Sequence, residues 1–230
     1  MPKHGKKYRA MLEKIDRDKV YPLNEAIALL KETANTKFDS TVELHMNLTI
    51  DPTQADQIIR STVALPHGTG KEVRVVAFVD DGMVKDALAA GAVKAGSDDL
   101  VAEIEKGFLD FDVAVAHPTM MKSIGKIART LGQKGLMPNP KAGTVTTEIA
   151  KTIGEVKKGK VEYRNDKQGN LHNALGKISF TDEQLTENLT TYIKAIIFNR
   201  PPGAKGNFIK TVTLTSTMGP GIRVDISRFL

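Results

Sequence analysis

The sequence predicts a mixed α/β and α+β protein of two domains, in which a discontinuous outer domain is interrupted by an inserted α/β domain. Three observations predict it. Segments near both chain ends alternate apolar and polar residues with the period of two that marks a strand buried on one face. The middle of the chain alternates short apolar runs with helical stretches, as mostly parallel sheets do. Two basic, glycine-bearing breaks, Pro66–Lys71 and Lys157–Lys160, separate the patterns and set the boundaries: residues 1–67 and 160–230 outside, 68–159 inserted.

A short helix is expected around Tyr8, Met11, Leu12 and Ile15, and a second over Asn24–Ala34 with Ala26, Ile27 and Leu30 on one face. From Phe38 to Ile50 the chain reads as a strand: Val42, Leu44, Met46 and Leu48 are apolar, while Thr41, Glu43, His45 and Asn47 are polar. Asp51-Pro52 predicts a short capped helix ending near Arg60, and Ser61–Leu65 a returning strand. In the insert, Val73–Val79 predicts a strand covered on both faces. Helices are expected at Met83–Ala90, Ser97–Lys106, Thr119–Leu131 and Thr147–Lys158, with short apolar runs at Val93 and Val113–Ala116. After the second break come a strand over Val161–Arg164, a turn through Asn165–Asn170, and a long helix from Asp182 to about Asn199, stopped by Pro201-Pro202-Gly203. The last segment alternates again, with Val212 and Leu214 on one side and Thr211, Thr213, Thr215 and Thr217 on the other, before a closing strand over Ile222–Ile226.

Composition narrows the function classes. The chain has 230 residues, 40% hydrophobic and 26% charged, with no cysteine, which excludes thiol catalysis, iron–sulfur clusters and a disulfide scaffold. No apolar run reaches membrane-spanning length and no signal core follows the basic amino terminus, so a cytosolic protein is expected. The net charge of +6 favours a polyanionic partner without naming one. That charge is uneven: the outer segments hold 20 basic and 15 acidic residues, Lys71–Asp112 holds 5 and 10, and Val113–Gly159 holds 8 and 2. A second positive patch within the insert is therefore expected.

The polar strand faces Thr41-Glu43-His45-Asn47 and Thr211-Thr213-Thr215-Thr217 are the most informative feature. If neighbours, they form a surface dense in hydroxyl, carboxylate and imidazole groups, which exchange hydrogen bonds with 2′-hydroxyls and base edges of RNA. Lys37, Lys167, Lys177 and Arg164 would supply charge for phosphates. An ordinary solvated sheet face rich in β-branched threonine is the alternative. Phe38 is a candidate for stacking on a base or sugar, or else a core residue, and Thr217-Met218-Gly219-Pro220-Gly221 is a turn whose glycines admit close backbone approach.

Gly68-Thr69-Gly70-Lys71 is not a phosphate loop: the upstream glycine spacing is wrong, Glu72 replaces the hydroxyl residue, and a strand follows. It reads as a hinge, with Pro66, Gly68 and Gly70 at one crossing and Lys158 and Gly159 at the other. Gly132–Thr144, after a helix bearing Lys122, Lys126 and Arg129, either presents charge to nucleic acid or is simply a long loop. His4, His45, His67, His117 and His172 show no metal-ligand spacing, and no catalytic constellation or cofactor motif surrounds them. A small-molecule enzyme with a site near His117, and a protein–protein adaptor, are the competing classes.

Several runs in order resemble the L-one family of large-subunit ribosomal proteins in its bacterial form. They are Pro2-Lys3-His4-Gly5-Lys6, Lys37-Phe38-Asp39 with Thr41-Val42-Glu43, Leu65-Pro66-His67-Gly68, and Gly135–Thr144. Arg164-Asn165-Asp166-Lys167, Gly203-Ala204-Lys205-Gly206 and Thr217-Met218-Gly219-Pro220 complete the set, with Gln133 departing from the family's usual proline. The resemblance implies a non-enzyme without cofactor or metal, whose split outer domain clamps ribosomal RNA at the base of a mobile side stalk. Its insert would be a Rossmann-like three-layer α/β domain. It further implies assistance in exit-site tRNA release, repression through binding to the messenger of its own operon, no membrane partner, and a monomeric state off the ribosome. Implied RNA contacts are Lys37, Phe38, Thr41, Glu43, Thr217, Met218 and Gly219, with His45, Arg164, Asp166, Lys167, His172, Lys177, Thr211, Thr213 and Thr215 in support.

Overall fold

The computed structural model describes residues 5–204 and 206–229, so His4, the start of the opening run and Lys205 lie outside the described residues. The chain mixes helix and sheet. By internal contacts it falls into two compact units, Met1–Gly70 with Val161–Leu230, and Lys71–Lys160.

Along the chain, α1 (Lys6–Leu12) and α2 (Leu23–Thr33) lead to β1 (Thr41–Leu48) and β2 (Arg60–Ala64). The second unit holds β3 (Val75–Phe78), α3 (Val84–Ala89), β4 (Lys94–Gly96), α4 (Asp98–Glu105), β5 (Val113–Ala116), α5 (Met121–Ile124), α6 (Ala128–Lys134) and α7 (Ile149–Lys157). The return comprises β6 (Lys160–Arg164), β7 (Asn170–Lys177), α8 (Asp182–Phe198), β8 (Ile209–Ser216) and β9 (Ile222–Arg223).

In the first unit a four-stranded sheet runs β7-β1-β8-β9, all antiparallel, and β2 pairs with β6 in a separate two-stranded sheet. Strict alternation in β1 drives one face inward: Val42, Leu44, Met46 and Leu48 are buried against the stripe of α8, Leu185, Leu189, Tyr192, Ile193 and Ile196. Thr181 starts α8 with a full capping box: its hydroxyl accepts from the Gln184 amide, and the Gln184 side chain accepts from the Thr181 amide.

In the second unit the sheet order is β4-β3-β5 and every pairing is parallel. Val75–Phe78 is buried on both faces, as its unbroken apolar run requires. One face packs Val76 and Phe78 against Leu100, Ile104, Ile124 and Leu131, the other Val75 and Ala77 against Ala87, Ile149 and Ile153. Helices α4–α6 thus cover one side, and α3 and α7 the other.

Four expectations are corrected. The segment 51–59 is a series of turns, not a helix: the Asp51 carboxylate takes the Thr53 amide and hydroxyl and the Gln54 side chain, closing the chain on itself. The helix over Thr119–Leu131 is broken into α5 and α6 by a 3₁₀ turn at Gly125–Ile127, whose three-residue repeat keeps Ile124 and Ile127 both inward. Strand β7 begins at Asn170, the last residue of the expected turn, and continues to Lys177 through a stretch for which no element is expected. The closing strand ends at Arg223: the Val224 amide still donates to the Val212 carbonyl of β8, but from here the chain bridges Tyr21, which donates to the Arg223 carbonyl and accepts from the Asp225 amide.

Candidate nucleic-acid interface

The outward face of the four-stranded sheet lies wholly in the first unit. Its residues form rows because antiparallel partners sit directly opposite one another. One row crosses all four strands: His172 opposite His45, His45 opposite Thr213, and Thr213 opposite Arg223. A second runs Asn170, Asn47, Thr211, and a third Ala174, Glu43, Thr215. At the upper end Thr41 stands opposite Lys177, while Thr217 donates its amide to the Thr41 carbonyl at 3.0 Å. The two hydroxyl-bearing strands are therefore immediate neighbours.

The polar groups are largely paired with one another. His45 Nδ1 and His172 Nδ1 stand 2.8 Å apart, so one ring donates and the other accepts, and two imidazolium ions cannot share the contact. Asn47 donates to the Asn170 side-chain oxygen at 2.6 Å, and Lys177 Nζ donates to the Thr41 hydroxyl at 2.9 Å. Glu43 lies 3.7 Å from the far nitrogen of His45, and Asp166 lies 3.5 Å from that of His172. Carboxylate, two imidazoles and carboxylate thus form a chain across β1 and β7.

Burial lowers the His45 pKa below the ordinary imidazole value; His172 pushes it the same way and Glu43 partly offsets both. Asp166 is held at about 2, first by the Asn170 amide and then by the Asn170 side chain and the Gln168 amide. This pattern makes the 165–169 turn a fixed anionic corner beside the histidines.

At the other end, Thr217–Gly219 is a strained, tightly bonded turn. Met218 is the one described non-glycine residue with positive φ, 67°, and its side chain is 77% exposed. The Thr41 amide donates to the Thr217 hydroxyl at 3.0 Å, and the Gly219 amide to the Ser216 carbonyl at 2.8 Å. A Cβ on Gly219 would stand 2.3 Å from the Ser216 hydroxyl, so glycine is required by close packing. A cavity of about 430 Å³ opens beside this turn, lined by Lys7, Tyr8, Met11, Asn35, Thr36 and Thr217–Gly219.

Phe38 precedes β1, is 59% exposed, and is fixed by a hydrogen bond from Thr36 Oγ1 to its carbonyl at 2.8 Å. Lys37 and Lys167 are exposed and form no ion pair among the described residues. Arg164 is not on this face; it ends β6 in the two-stranded sheet. The residues that sequence reasoning missed are Asn170 and Arg223, which complete two rows, Ser216 beneath the turn, and the α1 side of the cavity. Only the unrecognised strand β7 could have pointed to Asn170.

At the crossings, Gly68, Gly70 and Gly159 have positive φ of 64°, 70° and 108°. Asn188 on α8 accepts from the His67 amide and donates to the Gly68 carbonyl, so Pro66–Gly68 is tied down within the first unit. Lys158 caps the end of α7, its amide bonded to the Gly154 carbonyl. Among the described residues no cluster of histidine and carboxylate side chains is placed to hold a metal, and no helix is long and apolar enough to cross a membrane.

The outward sheet face thus combines paired polar groups with an exposed aromatic, Phe38, and two lysines, Lys37 and Lys167, that form no ion pair among the described residues. The chain belongs to the Ribosomal protein L1p/L10e family, whose model matches residues 30–220. It is 60% identical over 229 residues to the large ribosomal subunit protein uL1 of Chloroflexus aggregans, covering 98% of this chain and 97% of that protein. The proteins of the same name from Thermosipho africanus and Lactobacillus delbrueckii are 55% and 51% identical, each again covering 98% and 97%. The family is one of structural ribosomal proteins, not enzymes.

Proposed function

We propose that this chain is a large-subunit ribosomal protein of the cytoplasmic ribosome, and that the open face of β7-β1-β8-β9 is its seat for folded ribosomal RNA. The observation that carries the reading is the register that sets Thr41 and Glu43 beside Thr215 and Thr217, with Phe38 and Met218 projecting at the same end. Paired hydroxyl, amide and imidazole groups select a preformed RNA shape, because only matching donors and acceptors replace bonds already made. Lys37, Lys167 and Lys177 add affinity that weakens with salt. The names of the relatives support the ribosomal assignment.

The finer reading extends the same seat to two further RNAs. At the base of the side stalk the protein assists exit-site tRNA release, and off the ribosome, as a monomer, it binds a matching fold in its own operon's messenger and represses translation. Positive-φ glycines at the crossings serve as pivots; because Asn188 ties Pro66–Gly68, the first pivot is Gly70.

Filter binding to a ribosomal RNA stalk fragment tests the seat. Phe38→Ala and Thr217→Ala should each weaken binding about 5- to 150-fold, the size of a lost stacking contact or buried hydrogen bond. They should weaken binding to the messenger fragment in parallel. If both variants bind the stalk fragment as the parent does, the seat is elsewhere.

A further inference from the structure

We propose that the second unit carries its own RNA-binding surface, a sequence-independent phosphate track formed by α5, α6 and the loop after them. Residues 113–147 contain five lysines and arginines, Lys122, Lys126, Arg129, Lys134 and Lys141, and no carboxylate. All five are exposed. Five other cations of the same unit are paired with carboxylates: Lys71 and Arg74 with Asp112, Lys94 with Glu103, Lys151 with Glu148 and Lys160 with Glu155. None of the five forms an ion pair among the described residues.

Geometry aligns them. Lys122, Lys126 and Arg129 follow one another at spacings of four and three, while Ile124, Ile127 and Leu131 between and beyond them are buried in the core beneath. The cations therefore share a ridge on the side away from the sheet, about 10 Å long at 1.5 Å per residue. Lys134 ends α6, and Gly135 turns the chain with φ of 71°. The loop that follows is fixed: the Asn139 amide donates to Thr144 Oγ1, and the Asn139 side chain accepts from the Lys141 amide, each at 2.8 Å. Lys141 is thus presented from an ordered turn.

The chemistry of the ridge selects phosphate over protein or membrane. Protein interfaces are anchored by aromatic and apolar side chains, and membrane-surface helices insert an apolar face. The large apolar side chains exposed in this unit are Leu88 and Val93, both outside residues 113–147. Helix α4, which packs beside α5, is acidic at Asp98, Asp99, Glu103 and Glu105, so a polyanion is repelled from that side and directed along α5 and α6. The dense hydroxyl and amide rows of the first unit have no counterpart here, which is why the surface reads charge and not sequence.

The test uses the full chain and a random-sequence RNA duplex, which the sheet seat does not select. Affinity is measured against salt for the parent, for Lys122→Gln/Lys126→Gln/Arg129→Gln/Lys134→Gln, and for the corresponding variant with each lysine changed to arginine. The glutamine variant should lower the slope of log affinity against log salt by about 1.5 to 3.5, at about 0.7 to 0.9 per lost phosphate contact, with an unchanged melting temperature. The arginine variant should keep the slope. Acetylation of Lys122 and Lys126 should be suppressed by the duplex at low salt and restored as salt is raised. An unchanged slope, or acetylation of Lys122 and Lys126 as fast with the duplex at low salt as without it, overturns the proposal. Repeating the series on Phe38→Ala separates the two surfaces, since the fate of that variant bears only on the sheet seat.

Discussion

Met218→Gly separates what the Thr217–Gly219 turn does for the fold from what it does for the ligand. The residue sits at φ 67°, where an L side chain costs roughly 1–2 kcal/mol and glycine costs nothing sterically. Glycine in turn adds about 0.4–1 kcal/mol of backbone freedom to the unfolded chain, so the two effects nearly cancel or leave a gain of up to about 1.6 kcal/mol. Little burial is lost on deletion of the side chain, because it is 77% exposed. Urea unfolding should therefore show an equal or slightly higher midpoint with the same slope. Binding moves the other way: enclosing a methionine side chain in an RNA groove stabilises by about 1.5–3 kcal/mol, so filter binding should weaken about 10- to 150-fold. A midpoint that drops by the equivalent of more than 1 kcal/mol while RNA binding holds would refute both halves of the reasoning.

Gly219→Ala should destabilise by about 1–3 kcal/mol, since its Cβ meets the Ser216 hydroxyl at 2.3 Å in a site where Ser216 is 2% exposed. Ser216→Ala alone should be neutral or mildly stabilising, because that hydroxyl is buried without a hydrogen-bond partner. The double variant should recover much of the loss, and strictly additive melting shifts would show that the two sites do not touch. RNA binding should strengthen as pH falls through the region below the ordinary imidazole pKa, by up to tenfold per unit, since a phosphate near His45 restores the proton that burial and His172 remove. The fold responds with the opposite sign. A depressed His45 pKa contributes stability that is present above the unfolded value and lost as pH falls through the folded one. Binding is therefore measured where circular dichroism shows the chain still folded, and a His45→Gln profile as steep as the parent's would exclude this residue as the source.

Strand β1 and helix α8 were legible because each repeats one period without interruption, two in Thr41–Leu48 and about 3.6 in Leu185–Ile196. Strand β7 was not. Its inward position Asn173 is polar, bonded to the Tyr192 hydroxyl at 2.7 Å and to the Glu162 carbonyl at 2.8 Å. The register also shifts where Val42 faces Gly176 and Glu43 faces Ala174, so the alternation breaks twice in eight residues. Gly176 cannot carry a side chain there, since a Cβ would stand 2.9 Å from Leu185. With β7 hidden, the pairing of His45 with His172 and of Asn47 with Asn170 was hidden too. The threonine stripes survived as a signal because they depend only on the parity of neighbouring residues.

The pairing of polar groups within the face has a consequence for how selectivity arises. An RNA that docks on His45, Asn47 or Thr41 trades existing bonds for new ones, and each exchange returns only about 0.5–1.5 kcal/mol net. A mismatched RNA breaks the same internal bonds and leaves a desolvated donor or acceptor unpaired, at about 1–3 kcal/mol each. Three such positions are enough to separate right from wrong ligand by several orders of magnitude while the matched complex gains modestly from the face itself. Affinity must then come from groups that begin unpaired. On the proposed reading, Lys37 and Lys167 at the rim, Phe38 and Met218 at the end of the sheet, and the free cations of α5 and α6 are residues of that kind, which would put discrimination and attraction in different atoms of one chain.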